Sequence, residues 1–310
     1  MGLITRPIVS EIAPKTYLIN EFGIGIQYVV VGEEKALVID TGTGLYDMKQ
    51  LISRLTDKPY EVVVTHHHGD HNGGSNQFEK VWIHPKDKEI VLSPNRFSED
   101  LRWKALRMEA YSAEQREMMV QEGNPWIPYE HIFPYETVEK FPTQGECEYL
   151  DLYDGQEFDL GGRHLTVYYT PGHTPGSCSL LDHERRILFS GDAMNYNVGT
   201  RSVGGAYSGV AVSTMLKGLL RIQAMQDQFD QTFTGHTCYA NDIDLFSQDH
   251  TVLNDIIENL RRILNGTADI IQRPSHLKPE LIMPTAMYGQ ACTIFNADLL
   301  WEEGEEHIVP

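Results

Sequence analysis

The apolar positions of this chain fall first into short runs and then into a helical spacing, which predicts strands followed by a helix. Apolar and β-branched residues fill positions 24–31 and 35–39, and the intervening Gly32-Glu33-Glu34 is typical of a hairpin turn. The next apolar positions recur three and four residues apart, as on one buried helix face. They are Leu45, Met48, Leu51, Ile52 and Leu55.

The rest of the chain repeats this succession of strands and helices. Short apolar runs predict further strands at 61–65, 81–83, 157–160, 165–170, 177–181 and 187–190. Residues 214–226 and 251–264 have helical spacing, and Asn265-Gly266 is a suitable C-cap for the second helix. Both halves therefore carry strands followed by helix, which predicts an α/β fold in one domain over residues 1–310.

Residues 93–141 interrupt this pattern with a segment rich in aromatic side chains and methionine. We interpret the segment as a helical cap inserted into the domain. Such side chains form adaptable apolar walls, so the cap could line an acyl-binding surface, or it could pack on the body or on a second copy. The C-terminal tail could also mediate homo-oligomer formation, and its acidic residues are expected to be solvated: Glu302, Glu303, Glu305 and Glu306.

The net charge of the chain disfavours some classes of binding partner. The chain has 25 Lys+Arg and 44 Asp+Glu, a net charge of −19 over 310 residues, which disfavours nucleic acid and anionic membranes as partners. No apolar run approaches the 18 or so residues of a membrane span, and we expect no secretory signal at the N-terminus. The four cysteines form no CxxC pair, which favours free thiols in the cytoplasm. A small-molecule substrate is the expected partner.

The strongest chemical signal directly follows the predicted strand at 61–65. The segment Thr65-His66-His67-His68-Gly69-Asp70-His71 places four potential metal ligands within six residues. In extended chain His66 and His68 point to the same side, and a turn at Gly69 can redirect Asp70 and His71 towards a neighbouring position. Imidazole and carboxylate groups suit zinc, iron or manganese.

Three more potential ligands follow other predicted strands. His173 lies in a turn after 165–170, Asp192 follows 187–190, and His236 follows the run 231–234. Each would be weak evidence alone, because histidine and aspartate are common at strand ends. Together they predict one rim of the fold lined with metal ligands.

These motifs, with Asp40 in Ala36-Leu37-Val38-Ile39-Asp40-Thr41-Gly42, resemble those of the metallo-β-lactamase-fold hydrolase superfamily, on its glyoxalase II and lactonase side. The resemblance implies an αββα sandwich, in which two mixed β-sheets pack face to face with helices outside. It implies two divalent metal ions, with zinc expected and iron or manganese as alternatives. It also implies a distribution of ligands: His66, His68 and His173 for the first ion; Asp70, His71 and His236 for the second; Asp192 bridging both; and Asp40 orienting a ligand histidine.

The expected activity is hydrolysis of an acyl substrate such as a thioester, lactone or ester. A metal-bridging hydroxide would be the nucleophile, since metal coordination lowers the pKa of water towards 7. Asp70 and Asp192 are the expected catalytic carboxylates. Tyr196 and Tyr207, in or near a glycine-rich segment, are candidates for contacts with the substrate oxyanion.

Two other activities remain open at this stage. Persulfide dioxygenases of the superfamily resemble the same motifs but use a single iron, and other members cleave phosphodiesters. The acidic charge disfavours long nucleic acids as substrates for the second activity. The C-terminal region offers only scattered basic residues for glutathione recognition: Arg261, Arg262, Arg273 and Lys278.

Overall fold

The computed structural model of the chain describes residues 7–21, 25–44, 46–92, 147–195, 197–200, 209–236, 247–274 and 282–310. The cap predicted at 93–141 lies outside the described residues, as do Tyr196 and Tyr207. Their predicted roles therefore stay predictions.

The first sheet contains seven described strands in the order of the sequence. The first four run antiparallel, and the hairpin predicted at Gly32-Glu33-Glu34 joins the third to the fourth. The fourth to seventh run parallel, so their carboxyl ends meet at one edge. The strands are β1 (Ile8–Ala13), β2 (Thr16–Glu21), β3 (Gly25–Val31), β4 (Ala36–Ile39), β5 (Tyr60–Val63), β6 (Lys80–Ile83) and β7 (Glu148–Asp151).

The second sheet contains six described strands in the order β14-β13-β11-β10-β9-β8. Its only parallel pair among them is β11 with β13, which again brings two carboxyl ends to one edge. The strands are β8 (Glu157–Asp159), β9 (His164–Tyr169), β10 (Cys178–Asp182), β11 (Ile187–Gly191), β13 (Gln231–Thr234) and β14 (Ser247–Gln248).

The two sheets pack face to face through a shared apolar core. Tyr28 and Leu37 of the first sheet are fully buried in one cluster with Leu180 and Phe189 of the second. Because alternate residues of a strand face opposite sides, each sheet also presents an outer apolar face, which helices cover. The resulting layers confirm the predicted αββα sandwich of two mixed sheets.

Five described helices complete the layers and the site loops. Three belong to the first half: α1 (Met48–Leu55), the one-turn α2 (Gly69–Asn72) and α3 (Pro85–Val91). Met48, Ile52 and Val91 cover the outer face of the first sheet. The other two, α4 (Val212–Gln223) and α5 (His250–Leu264), cover the outer face of the second sheet. α4 and α5 begin two residues and one residue earlier than the periodicity predicted, and α1 begins three residues later than the first apolar position of its predicted helix face.

A third sheet was not predicted. Its described strands lie in the order β12-β17-β16-β15 and comprise β12 (Asn197–Gly199), β15 (Ile270–Pro274), β16 (Ile282–Tyr288) and β17 (Ala291–Ile294). β12 pairs parallel with β17 across almost a hundred residues of sequence, and prolines at 274 and 284 interrupt the strand pattern of the tail. A buried Asn259 of α5 donates to the Ala286 carbonyl (2.9 Å) and to Thr293 Oγ1 (3.0 Å), which fixes the sheet to the helix.

One glutamate of the C-terminal tail contacts the body of the domain, which the acidic sequence of the tail did not suggest. Glu302, Glu303 and Glu306 are exposed as expected, but Glu305 is only partly exposed. Glu305 accepts a hydrogen bond from Ser213 Oγ (2.7 Å) and pairs with Lys217, both on α4. The expectation of a fully solvated acidic tail was therefore wrong at Glu305.

A buried arginine, paired with an aspartate of its own sheet, also binds the other main sheet and so links the two at one end of the sandwich. Arg163, before β9, donates to the carboxylate of Asp182 at the end of β10 and to Thr16 Oγ1 of β2 (2.7 Å). Both charged side chains are almost fully buried, so each depends on the other to offset its lost hydration.

No helix in the described part of the chain has both the length and the apolar character needed to cross a membrane.

The contacts of Asn259 lead to a stability prediction. Asn259→Ala removes two buried hydrogen bonds and leaves the Ala286 carbonyl without this donor, so the free energy of unfolding should fall by about 1–3 kcal/mol. Urea unfolding measures the change. Asn265→Ala, at the exposed end of the same helix, is the control and should change stability by less than about 0.5 kcal/mol. Equal effects of the two substitutions would contradict the anchoring role.

Candidate metal centre

The potential ligands lie at the carboxyl ends of strands from both main sheets. Asp40 follows β4 and the segment 66–71 follows β5 in the first sheet, while His173, Asp192 and His236 follow β9, β11 and β13 in the second. These strands point the same way within each sheet, so their ends share one edge of the sandwich. The structure brings together all seven predicted ligands.

The segment after β5 changes direction at Gly69. His66 lies in a bend after β5, His68 has an extended backbone, and the one-turn α2 then carries Asp70 and His71. The His71 N–H donates to the His68 carbonyl (3.0 Å), which closes the turn. Side chains from this short segment therefore reach two neighbouring positions.

The first position is formed by His66, His68 and His173. One ring nitrogen from each lies within 4.8 Å of the others, a grouping that could hold a metal ion. His173 Nε2 lies 2.9 Å from His68 Nδ1. The loop after β9 and the loop after β5 thus converge on one point.

The second position is formed by Asp70, His71 and His236, whose ligand atoms also lie within 4.8 Å of one another. His236 Nε2 lies 3.5 Å from Asp70 Oδ2. The two loops concerned, after β5 and after β13, come from different sheets. This group therefore depends on the packing of the sandwich.

Asp192 lies between the two positions. Its Oδ2 is 3.3 Å from His173 Nε2 and 3.0 Å from His236 Nε2, which belong to different groups. Its Oδ1 is 3.5 Å from His71 Nε2. One carboxylate therefore faces the ligands of both groups.

Asp40 orients two of the histidines. Its Oδ2 accepts from His71 Nδ1 (2.8 Å) and from Thr65 Oγ1 (3.0 Å), and Thr65 Oγ1 lies 3.1 Å from His66 Nδ1. With Nδ1 engaged in each ring, Nε2 is left as the ligand atom. Asp40 has φ = 65°, a left-handed conformation that aspartate tolerates better than most residues.

The site leaves no room for a side chain at Gly235. A Cβ at this position would lie 2.4 Å from Asp192 Oδ1 and 2.4 Å from His71 Cε1. The glycine lets the strand end at β13 approach the ligands closely, and His236 can then reach over the site.

The electrostatics of the cluster favour the ligand forms of His66, His68 and Asp192, and favour a positive charge beside His71. Burial, together with neighbouring histidines, holds the pKa values of His66 and His68 well below the ordinary value, so both rings are neutral. Burial alone would raise the pKa of Asp192, but His236 and His71 outweigh it and keep that pKa well below its ordinary range. Burial opposes a charge on His71, yet Asp192 and Asp40 raise its pKa to about 9. The carboxylates thus favour a positive charge at this point.

Several buried ligand atoms make no hydrogen bond within the described residues. They are His66 Nε2, His71 Nε2 and Asp192 Oδ1. Buried polar atoms without partners are costly, and a divalent cation coordinated by these atoms would remove that cost. The residues present therefore fit a bound metal ion.

The sequence did not reveal three supporting groups. Thr65 connects Asp40 to His66, and the Gly199 carbonyl of β12 accepts from His173 Nδ1 (3.1 Å). Asp87 of α3 is fully buried and lies 3.0 Å from His67 Nδ1. His67 itself belongs to none of the ligand groups. His84-Pro85 after a strand was a usable signal for the start of α3, but nothing in the sequence marks Asp87 as buried.

Comparison with known proteins agrees with this geometry. Residues 21–204 match the family model of the metallo-beta-lactamase superfamily, which is more than half of the chain. The acyl-coenzyme A thioesterases MBLAC2 of Homo sapiens and Bos taurus are each 32% identical over 179 residues, which cover 54% of this chain and 57% of theirs. The chain thus matches little more than half the length of these curated relatives.

Solved structures show the same fold. The metallo-beta-lactamase from Pontibacter korlensis has a TM-score of 0.51 at 16% identity and covers 83% of this chain and 99% of its own. The stereoselective inverting sec-alkylsulfatase Pisa1 from Pseudomonas sp. has a TM-score of 0.56 at 16% identity and covers 84% of this chain and 42% of its own. The matching family model, the sandwich and the ligand-bearing strand ends together show that the chain belongs to the metallo-beta-lactamase superfamily.

Proposed function

We propose that the chain is a hydrolase of acyl substrates that uses two divalent metal ions, with zinc as the expected metal. The observation that carries the proposal is the position of Asp192, whose Oδ2 lies 3.3 Å from His173 of one ligand group and 3.0 Å from His236 of the other. A carboxylate shared by two groups is what a pair of cations requires, because it offsets their mutual repulsion.

The donor set supports a catalytic rather than a purely structural site. Catalytic zinc sites typically have three imidazole or carboxylate ligands and keep a position open for water or substrate, whereas structural zinc sites are usually closed and rich in thiolate. None of the ligand groups found among the described residues contains a cysteine. We assign His66, His68 and His173 to the first ion, Asp70, His71 and His236 to the second, and Asp192 to both.

The two ions would supply an activated water and polarise the acyl carbonyl. The chain's own residues hold this arrangement in place. Asp40 fixes His71 and, through Thr65, His66 so that Nε2 of each ring points into the site. Asp70 Oδ2 lies 3.5 Å from His236 Nε2 and would take a proton from the attacking water and pass it to the thiolate or alkoxide that leaves as the acyl bond breaks.

A thioester of coenzyme A is the first substrate to test. The curated relatives from Homo sapiens and Bos taurus are named acyl-coenzyme A thioesterases. Lactones and simple esters undergo attack at the same kind of carbonyl and belong in the same panel. The predicted cap at 93–141, with its aromatic and methionine side chains, would supply apolar contacts to the acyl group.

The substrate prediction can be tested with a panel of acyl-coenzyme A thioesters, lactones, esters and a β-lactam. We expect hydrolysis of at least one thioester, lactone or ester, and the loss of about 100-fold or more of kcat/KM in Asp192→Asn, since even residues that only support ligands contribute about 10–100-fold. Asp182→Asn, a buried carboxylate remote from the ligands, is the matched control and should retain activity. Full activity in Asp192→Asn would refute the proposal. A phosphodiester and a persulfide are tested beside the panel, and turnover confined to the phosphodiester, or oxygen uptake on the persulfide, would replace the proposal.

The metal prediction has its own measurement. Protein purified without added metal should contain two divalent ions per chain by elemental analysis. After removal of metal with a chelator, zinc at about 100 times its dissociation constant should stabilise the fold by about 2.7 kcal/mol for each occupied site, a Tm increase of roughly 4 °C per site. Asp192→Asn should show a smaller increase. One iron per chain, or no effect of metal on Tm, would contradict a dinuclear zinc site.

A further inference from the structure

One fully buried carboxylate has no role in the proposed chemistry. Asp87 lies in the first turn of α3 and is completely inaccessible to solvent. It belongs to neither ligand group. A buried aspartate is rare unless its oxygens are well paired, so its partners indicate what it holds.

The partners of Asp87 come from two separate loops. From the loop after β5, the His67 N–H donates to Oδ2 (2.8 Å), and His67 Nδ1 lies 3.0 Å from the same oxygen. From the loop after β9, Thr174 Oγ1 donates to Oδ2 (2.7 Å) and the Gly176 N–H donates to Oδ1 (2.6 Å). One carboxylate therefore joins two loops that are more than a hundred residues apart.

These two loops carry all three ligands of the first group. His67 is flanked by His66 and His68, and Thr174 directly follows His173. The short separation between His68 Nδ1 and His173 Nε2, 2.9 Å, therefore depends on how the two loops are held. Of the second group, Asp70 and His71 lie on α2, beyond the turn at Gly69, and His236 follows β13. The side-chain bonds of Asp87 among the described residues reach neither α2 nor β13.

The packing around Asp87 is tight, so a shift of its carboxylate would also move the neighbouring loop. A Cβ at residue 176 would lie 2.6 Å from Asp87 Cγ, so only glycine allows this approach. The Cys178 N–H also donates to the Thr65 carbonyl (2.9 Å), a second link between the same loops. In the second loop that backbone bond begins only at Cys178, whereas Asp87 binds Thr174, the residue directly after His173.

We propose that Asp87 is a positioning residue for metal binding, which sets the geometry of the group formed by His66, His68 and His173. The inference rests on the metal binding proposed above. Its specific consequence is that the two metal ions respond differently to the loss of Asp87. Loss of the carboxylate should weaken binding of the first ion and leave the second ion, held by Asp70, His71 and His236, largely unaffected.

The test is Asp87→Asn, which keeps the volume of the side chain but turns one acceptor oxygen into a donor facing an N–H or O–H group. Titration of the metal-free protein with zinc against a chromophoric chelator gives both dissociation constants. We expect one to rise by about 10–100-fold, the range found when groups that support metal ligands are lost, and the other to stay unchanged. Thr174→Val preserves shape and removes the hydroxyl that donates to Asp87 and lies 2.8 Å from Ser177 Oγ. Because the other bonds of Asp87 remain, it should produce a smaller rise at the same ion.

The control is Asp182→Asn, an equally buried carboxylate that binds Arg163 far from the ligands. It should lower Tm without altering either dissociation constant, which separates loss of positioning from general loss of stability. Unchanged constants in both Asp87→Asn and Thr174→Val would overturn the inference. If Asp87→Asn does not fold, unchanged constants in Thr174→Val alone would do so.

The affected ion can be identified with a second substitution. His68→Asn removes a ligand of the first group only. If Asp87 acts through that group, adding Asp87→Asn to His68→Asn should have no further effect on the remaining ion. An additional loss at the remaining ion would show that Asp87 supports the whole site and would overturn the proposed selectivity. A wild-type protein that binds no metal would instead refute the proposed function.

Discussion

The concentration of buried ligand atoms around Asp192 is the constraint on which the rest of the site depends. Its two oxygens lie within 4 Å of ring nitrogens from four histidines, and several of these atoms have no hydrogen bond to any residue that the structure describes. Without a cation such a cluster is costly, because neutral imidazole nitrogens and an ionised carboxylate are removed from water with too few donors to pair them. Features that otherwise look unfavourable follow from this constraint: the left-handed Asp40, and the glycine at 235 where any side chain would collide with Asp192.

The β-sandwich holds these ligand atoms in fixed positions. The ligands come from strand ends of two different sheets, so their relative positions are fixed by the apolar core between the sheets rather than by any single loop. Tyr28 illustrates the coupling. Its ring packs against Phe189 of the strand that leads to Asp192, with centroids 4.8 Å apart, and its hydroxyl donates to the Thr234 carbonyl (2.5 Å), two residues before His236. A core side chain of the first sheet thus supports the ligand-bearing ends of two strands in the second.

Features of the structure that depend on neighbouring residues could be predicted from the sequence, whereas features that depend on contacts between distant residues could not. Strand runs, the helix spacings and the histidine motif after β5 are local signals, and the fold class inferred from them and from the family resemblance is confirmed. The third sheet depends on a parallel pairing of β12 with β17, which no local pattern marks. The same holds for Asp87, whose burial and partners follow from contacts with residues 174 and 176. The assignment of each ligand to an ion, the cap and the tyrosines at 196 and 207 remain predictions.

The unpredicted third sheet also bears on the metal centre, through a single carbonyl. His173 donates from Nδ1 to Gly199 of β12 (3.1 Å), and this bond leaves Nε2 of the ring as the ligand atom. β12 in turn is held by β17, which lies in the C-terminal region beyond the residues that match the family model. A part of the chain outside the matched region therefore helps to fix the tautomer and direction of a ligand inside it. Asp87 holds the main chain next to the same histidine, so His173 is restrained at its backbone by one element and at its ring by another, and neither restraint alone defines where its Nε2 points.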